Sequence, residues 1–389
     1  MNKKVGLVMT FQGTNYGQLL QSYALQQKIE SMGYETEIIQ YHSGKDKGVK
    51  ITYASLYVSV QTIIKILFRK LKSRKNFSKI ELDVNHKENI IKRRSVSDLF
   101  RNTRFHNIVV VNGYSNLVDK SKDYSAVVVG SDQIWLPEVS VTNFYTLRFA
   151  LPGITRISYA TSMGVSSYPN YAKKPAAEYW QKIDYLSVRE EQAKKIIKEI
   201  ADVEANVVAD PTYLLTTEEW EERIPNISVI ETGYVLCYFL GDNDVIKEYA
   251  KRFADGKNLR LVSILSNECN SDDSQFADEV LIGKSPEEFI NLIRNADFVL
   301  TDSFHGLAFS VINEKQFYIF YRNRTDVKQS RNSRIDNIVK IWGLEERLIK
   351  EPEKMIFKDD LIDYSIVTKK RNEFREESLN FLRSALEKK

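Results

Sequence analysis

Apolar residues in this chain follow two alternating patterns: short unbroken runs, and longer stretches in which apolar side chains return at helical spacing. Val5 to Phe11 is the first run and reads as a strand. The polar loop QGTNYGQ follows. Gln18 to Met32 then carries Leu19, Leu20, Tyr23, Ala24, Leu25, Ile29 and Met32 on one face, and Gly33 ends it. Glu35 to Tyr41 is the next run. Strand, helix and strand in this order predict an α/β fold with a parallel sheet.

The stretch 42–107 is polar, basic and mostly helical in pattern, so it reads as an insertion. Apolar runs resume at Ile108 to Val111, Ala126 to Val129, Ile154 to Ala160, Tyr185 to Val188 and Ala205 to Ala209. A second set begins with Tyr234 to Leu240, a helix from Asp244 to Phe253, and Leu259 to Leu265. Ser285-Pro286-Glu287-Glu288 has the composition of a capped helix start. The pattern therefore predicts two Rossmann-like domains with parallel sheets facing a cleft. The first spans residues 1–214, with 42–107 as a helical basic insertion. The second spans 215–362, and 363–389 form a charged helix that packs back on the first domain.

Composition narrows the class. A net charge of +4 over 389 residues is small, and no nucleic-acid-binding module is present, so nucleic acid is not expected as a partner. Two cysteines make no disulfide framework, and Cys237 sits in the apolar run GYVLCYFL. No CxxC, HExxH or His/Cys cluster suggests a metal, and no cofactor is expected. The first residues are too quickly polar for a signal peptide, which predicts a cytoplasmic protein. Local positive charge is concentrated in residues 56–79, where apolar residues at helical spacing are flanked by Lys65, Arg69, Lys70 and Lys72. That helix either lies on an anionic membrane surface or packs on its own protein.

Residues 296–320, ADFVLTDSFHGLAFSVINEKQFYIF, organise the rest. Phe298 to Thr301 is a buried-strand run, Asp302 or Ser303 can cap the helix that follows, and Phe317 to Phe320 is the next strand. His305 thus falls at the carboxyl end of a strand and the amino end of a helix, where parallel sheets bind ligands and free N–H groups suit an anion. Gly306 would let a ligand approach the backbone. His305 is either a reacting group or only part of a helix start.

Other strand ends add candidates. FQGTNYGQLL is either a phosphate cradle, a tight turn, or a sugar contact through Asn15 and Gln18; it has neither GxGxxG nor GK[ST]. GSDQIW sets Ser131 and Asp132 beyond a strand, with Asp132 either contacting a sugar hydroxyl or capping a helix. Arg189, in SVREEQ, either clamps an anion or pairs with a nearby acid. Arg322, Arg324, Lys328, Arg331 and Arg334 follow the strand after His305; they either meet a polyanionic small ligand or belong to a plain solvated loop. Ser333 looks like a cap, placing Arg334 in the first turn of a helix.

Taken together, FQGTNYGQLLQSYALQ, VVVGSDQIW, SYATSMG, LSVREEQ, VVADPTYLL, DFVLTDSFHGLAFSV and RNSRIDNIV resemble the polysaccharide pyruvyl transferases. The similarity runs from residue 5 to about residue 345 and is weakest over 42–107. It implies a two-domain fold like that of B-type glycosyltransferases. It also implies transfer of pyruvate from phosphoenolpyruvate to a hexose of a cell-surface polysaccharide or a lipid-linked precursor, forming a cyclic ketal. By the resemblance His305 is the general acid/base, Arg189 a substrate clamp and Asp132 an acceptor-binding acid. Some relatives carry a basic residue just before the His motif; here Ser303 and Phe304 stand instead, which shifts the expected phosphate clamp to Arg334, with Arg322 and Arg324 in reserve. Lipid-linked acceptors would suit docking of the 56–79 helix at the inner face of the plasma membrane. Two other readings fit the same fold: a nucleotide-sugar glycosyltransferase, and a non-catalytic glycan-binding protein.

Overall fold

The computed structural model describes residues 3–43, 84–137, 143–266, 273–322, 333–354 and 360–387. The 56–79 helix and Arg324 lie outside them. Two wholly parallel sheets form the frame. The first contains β1 (Lys4–Val8), β2 (Glu35–His42), β3 (Ile108–Asn112), β4 (Ala126–Val129), β5 (Thr155–Thr161), β6 (Tyr185–Val188) and β7 (Asn206–Val207), in the order β3-β2-β1-β4-β5-β6-β7. The second contains β8 (Tyr234–Tyr238), β9 (Arg260–Ile264), β10 (Glu279–Leu281), β11 (Phe298–Thr301), β12 (Gln316–Phe320) and β13 (Leu348–Ile349), in the order β10-β9-β8-β11-β12-β13.

Central strands are buried on both faces because crossover helices cover both, so they read as continuous apolar runs rather than alternating ones. AVVV of β4 and YVLCY of β8 are buried throughout. Strand order reverses direction between β1 and β4 in the first sheet and between β8 and β11 in the second. Loops leaving two such strands diverge to opposite faces and open a crevice at their carboxyl ends, where open α/β sheets take ligands. Both crevices of this molecule contribute to one site.

The Tyr16–Ser31 helix starts earlier than its apolar face suggests. Asn15 caps it, with Oδ1 accepting from the Gln18 amide at 3.3 Å, and β1 correspondingly ends at Val8. This helix joins the two halves. The Tyr16 hydroxyl donates to the Lys284 carbonyl at 2.8 Å, and its ring stacks on Phe289. On its other side the Arg93 guanidinium lies 3.3 Å from the Tyr16 ring centre. Arg93 belongs to the Val84–Arg104 helix and donates to the carbonyls of Thr14 and Leu265, one from each half. Asn89, one turn earlier, accepts from the Gly283 amide at 2.7 Å and donates to Leu265.

The last helix, Tyr364–Glu387, spans both halves. Arg371 donates to the carbonyls of Val311 and Ile312 at the end of the Phe304–Ile312 helix. Further on, the Ser378 hydroxyl accepts from the Ala209 amide at 2.8 Å, and Phe381 meets the rings of Tyr159 and Tyr185. Those contacts brace the strand end that carries Asp210.

Candidate active site

The Phe304–Ile312 helix leaves β11 immediately, and Ser303 caps it by accepting from the Gly306 amide at 3.3 Å. Every residue of the helix is buried, which fixes its rotation and aims His305 at the gap between the two sheets. Gly306 has a different role from the one its place suggested. A Cβ there would meet Thr301 of β11, so its missing side chain lets helix and strand pack closely rather than admitting a ligand. Asp302 accepts from the amides of Leu240 and Gly241 at 2.6 and 2.8 Å, tying the β11 end to the β8 end.

The first sheet supplies the opposing wall. Asp132, just past β4, has φ of 79°, a left-handed conformation that is costly for a side-chain-bearing residue and is concentrated at functional sites. Its carbonyl accepts from the amides of Ile134 and Ser162, which hold the turn. Its Oδ2 accepts from Gln18 Nε2 at 2.8 Å. Burial works against the Asp132 carboxylate, but Arg189, His305, the Gln18 hydrogen bond and Arg334 outweigh it and hold the pKa below the ordinary aspartate value. Asp132 is therefore ionised at neutral pH.

Arg189 and Asp210 form a second layer behind His305. Asp210 ends the strand region after β7 and is completely buried; Arg189 is 4% exposed. Arg189 Nη1 donates to Asp210 Oδ2 at 2.6 Å, and the Ser131 hydroxyl donates to the same oxygen at 3.0 Å. Asp210 Oδ1 accepts from the Thr212 amide and hydroxyl. The Arg189 guanidinium lies 4.3 Å from the Phe304 ring centre. The acid that pairs with Arg189 is thus Asp210, from a neighbouring strand end, and not Glu190 beside it in sequence. Glu190 accepts instead from Ser162 and Met163.

His305 Nε2 lies 3.8 Å from Asp210 Oδ2, is buried, and has no hydrogen-bond partner among the described residues. Burial lowers its pKa to about 4, with Arg189 and Arg334 adding to the effect and Asp210 and Asp132 opposing it. The imidazole is therefore neutral in the empty site.

A cavity of about 240 Å³ opens where the two sheets meet. Asn15, Gln18, Asp132 and Gln133 line it from the first sheet; Ser303, His305, Arg322 and Arg334 line it from the second. Ser131, Arg189 and Gly306 do not reach its wall. Arg334 lies at the start of the Ser333–Trp342 helix, and burial together with repulsion from Arg189 lowers its pKa to about 10. Its Nε has no hydrogen-bond partner among the described residues. Arg322 Nε lies 3.8 Å from Asp302 Oδ2. The site thus places two guanidinium groups, a neutral imidazole and an ionised carboxylate around a space large enough for a small polar molecule.

Two relationships in the site are not visible in local sequence. Gly17, in the first turn of its helix, packs directly against the His305 ring, leaving no room for a Cβ. Asp210 contacts both Arg189 and His305 from a third segment. The only local signal for Asp210 is its place at a strand end before Pro211.

Solved structures of low sequence identity align with most of this chain. A variant of TarM from S. aureus, bound to UDP and alpha-GlcNAc-glycerol, matches with a TM-score of 0.51 at 10% identity, covering 100% of both chains. The UDP-GlcNAc 2-epimerase of Methanocaldococcus jannaschii gives 0.47 at 13% identity, covering 86% of this chain and 91% of its own. The glycosyltransferase SnogD of Streptomyces nogalater gives 0.46 at 11% identity, covering 99% and 100%. The chain has the two-domain fold of the B-type glycosyltransferases. No curated protein matches its sequence significantly. The sequence profile of the polysaccharide pyruvyl transferases matches residues 15–324, a span that runs from the Asn15 cap through Asp132 and His305 to Arg322, and the chain belongs to that family.

Proposed function

We propose that the protein transfers pyruvate from phosphoenolpyruvate to a hexose of a cell-surface polysaccharide or its lipid-linked precursor, forming a cyclic ketal. The observation that carries this reading is the meeting of His305, Asp132, Arg322 and Arg334 on one cavity between the two sheets. Phosphoenolpyruvate bears a phosphate and a carboxylate, and guanidinium groups bind both through paired hydrogen bonds.

The reaction needs proton transfers at defined places. C3 of the enol gains a proton and becomes the methyl group, while C2 becomes electrophilic. One sugar hydroxyl bonds to C2 and loses its proton. The C2–O bond to phosphate breaks, inorganic phosphate leaves, and a second hydroxyl bonds to C2 as it loses its own proton. Two protons leave the sugar; one is balanced by C3 and the other by phosphate or solvent. His305 is the acid/base for these steps. It is neutral in the empty site, and an anionic donor beside it raises its proton affinity, opposing Arg189 and Arg334. Donor binding thereby prepares the imidazolium that protonates C3. Asp132, ionised and on the cavity wall, receives the acceptor hydroxyl.

Incubation with phosphoenolpyruvate and a hexoside acceptor tests the reading. Acceptor-dependent phosphate release, and a product heavier by one pyruvate ketal, are expected. Turnover with a sugar nucleotide, and none with phosphoenolpyruvate, would instead make the protein a glycosyltransferase.

A further inference from the structure

Beside the donor cavity is a second one of about 550 Å³, at the carboxyl ends of β1 and β2. Its wall is built from Phe11, Tyr41, Phe144 and Tyr145, with the amides of Gln18 and Gln40 at its edge. The Tyr41 and Phe144 ring centres are 5.2 Å apart, and those of Phe144 and Tyr145 are 5.0 Å apart. None of the described residues that line it carries a charge. A wall rich in aromatic side chains, with side-chain amides among its residues, suits a pyranose, whose C–H face is apolar and whose edge is a ring of hydroxyls.

The two cavities share one side chain. Gln18 lines both, and its Nε2 donates to Asp132 Oδ2 at 2.8 Å. A sugar seated on the aromatic wall with a hydroxyl toward Gln18 has that hydroxyl beside Asp132. The Tyr145 hydroxyl also feels this carboxylate: burial raises its pKa first, and the Asp132 charge adds to it.

We propose that this cavity is the acceptor subsite and that it takes a neutral pyranose rather than an acidic sugar, with Gln18 passing the reacting hydroxyl to Asp132. The assignment rests on pyruvyl transfer as the reaction next door. The choice of neutral sugar follows from charge. A uronate or sugar phosphate in this cavity would exchange water for aromatic rings and amides, and would find no cation among the described lining residues.

The test is calorimetric binding of p-nitrophenyl glucosides, galactosides and mannosides of both anomeric forms, against p-nitrophenyl glucuronide, without phosphoenolpyruvate. At least one neutral glycoside is expected to bind, with the glucuronide weaker by about tenfold or more. Tyr41→Ala should weaken the neutral glycoside by about tenfold while leaving phosphoenolpyruvate affinity unchanged. Gln12→Lys changes an exposed residue on the same wall and should narrow the gap by strengthening glucuronide binding. Equal affinity for both classes, no binding of any glycoside to the unaltered protein, or indifference to both substitutions would overturn the assignment. Failure of phosphoenolpyruvate to bind or release phosphate would sink the transfer reaction instead, and the glycoside measurements would still decide the subsite.

Discussion

Gly17 and His305 come from opposite halves of the molecule and are in direct contact, with the imidazole occupying the space that a side chain at position 17 would fill. The imidazole is therefore positioned by the helix that faces it as well as by its own. The same helix carries Asn15 and Gln18 into the cavity that His305 lines and is locked to the second half through Tyr16. Its seating thus sets the distance between the wall that bears Asp132 and the wall that bears His305.

Gly17→Ala tests this dependence. Alanine favours the helix by up to about 1 kcal/mol, so a purely local effect would stabilise the protein. The contact with His305 predicts the reverse. Turnover should fall by about two orders of magnitude as the ring is displaced, with thermal stability lowered. Adding His305→Ala should recover part of the lost stability, because the two substitutions share one contact. Strict additivity in thermal denaturation would mean that the two residues do not press on each other.

The buried neutral histidine gives a pH dependence with a definite sign. Its pKa is about 4 in the native state, lowered mainly by burial, and about 6.5 in an unfolded chain. Between these values the unfolded chain binds a proton that the native site refuses. Stability therefore declines as pH falls from about 6.5 to about 4, by on the order of 3 kcal/mol. His305→Gln should flatten this decline in urea titrations across the same window. Asp132 and Asp210 act in a lower range: their carboxyls are held below the ordinary value, so their contribution is present above about 3.9 and is lost as pH falls further. A decline that is equally steep in both proteins would assign the window to another group.

The place of His305 is legible in sequence because each local signal agrees. A short apolar run, a serine cap and a largely apolar helix allow one arrangement, and the structure has it. Arg334 is legible too as a first-turn residue, although the helix begins at Ser333 itself rather than after it. The two shortest strands of the second sheet, β10 and β13, escape notice, because two or three residues are too few to show a period. Asp210 and Gly17 escape for another reason. Their partners lie in other segments, and strand order decides which segments meet. Nothing near Arg189 in sequence reveals that its partner acid is Asp210, when Glu190 and Glu191 stand closer along the chain. The order itself, with both reversals facing one gap, is a property of pairing between distant strands.

The Arg189–Asp210 pair predicts a large loss when one member is removed. Asp210→Asn leaves a guanidinium buried without its counter-charge and removes a charge-assisted bond of 2.6 Å. The expected cost is about 3–5 kcal/mol in chemical denaturation. Ser131→Ala removes a neutral donor to the same oxygen and should cost only about 1 kcal/mol. Arg189→Met combined with Asp210→Asn removes both charges and should be more stable than Asp210→Asn alone. If the double variant is the weaker one, the pair contributes through packing and not through charge balance.

Arg334 and Arg322 both line the cavity beside His305, but they differ in what already holds them. Arg322 lies 3.8 Å from the Asp302 carboxylate. Arg334 faces the repulsion of Arg189, and burial together with that repulsion lowers its pKa to about 10. An incoming phosphate relieves that repulsion, so more of the binding free energy should pass through Arg334. Arg334→Gln should weaken phosphoenolpyruvate by about tenfold to a hundredfold, and Arg322→Gln by less, since the Asp302 carboxylate already offsets part of the Arg322 charge. Inorganic phosphate should raise the thermal midpoint of the unaltered protein by mass action, and Arg334→Gln should abolish most of that rise. Arg334→Lys keeps the charge but loses the planar fork, and should recover only part of the affinity. Equal losses at the two positions, in calorimetry and thermal shift alike, would show that the cavity attracts its anion by net charge alone, with no division of labour between the two guanidinium groups.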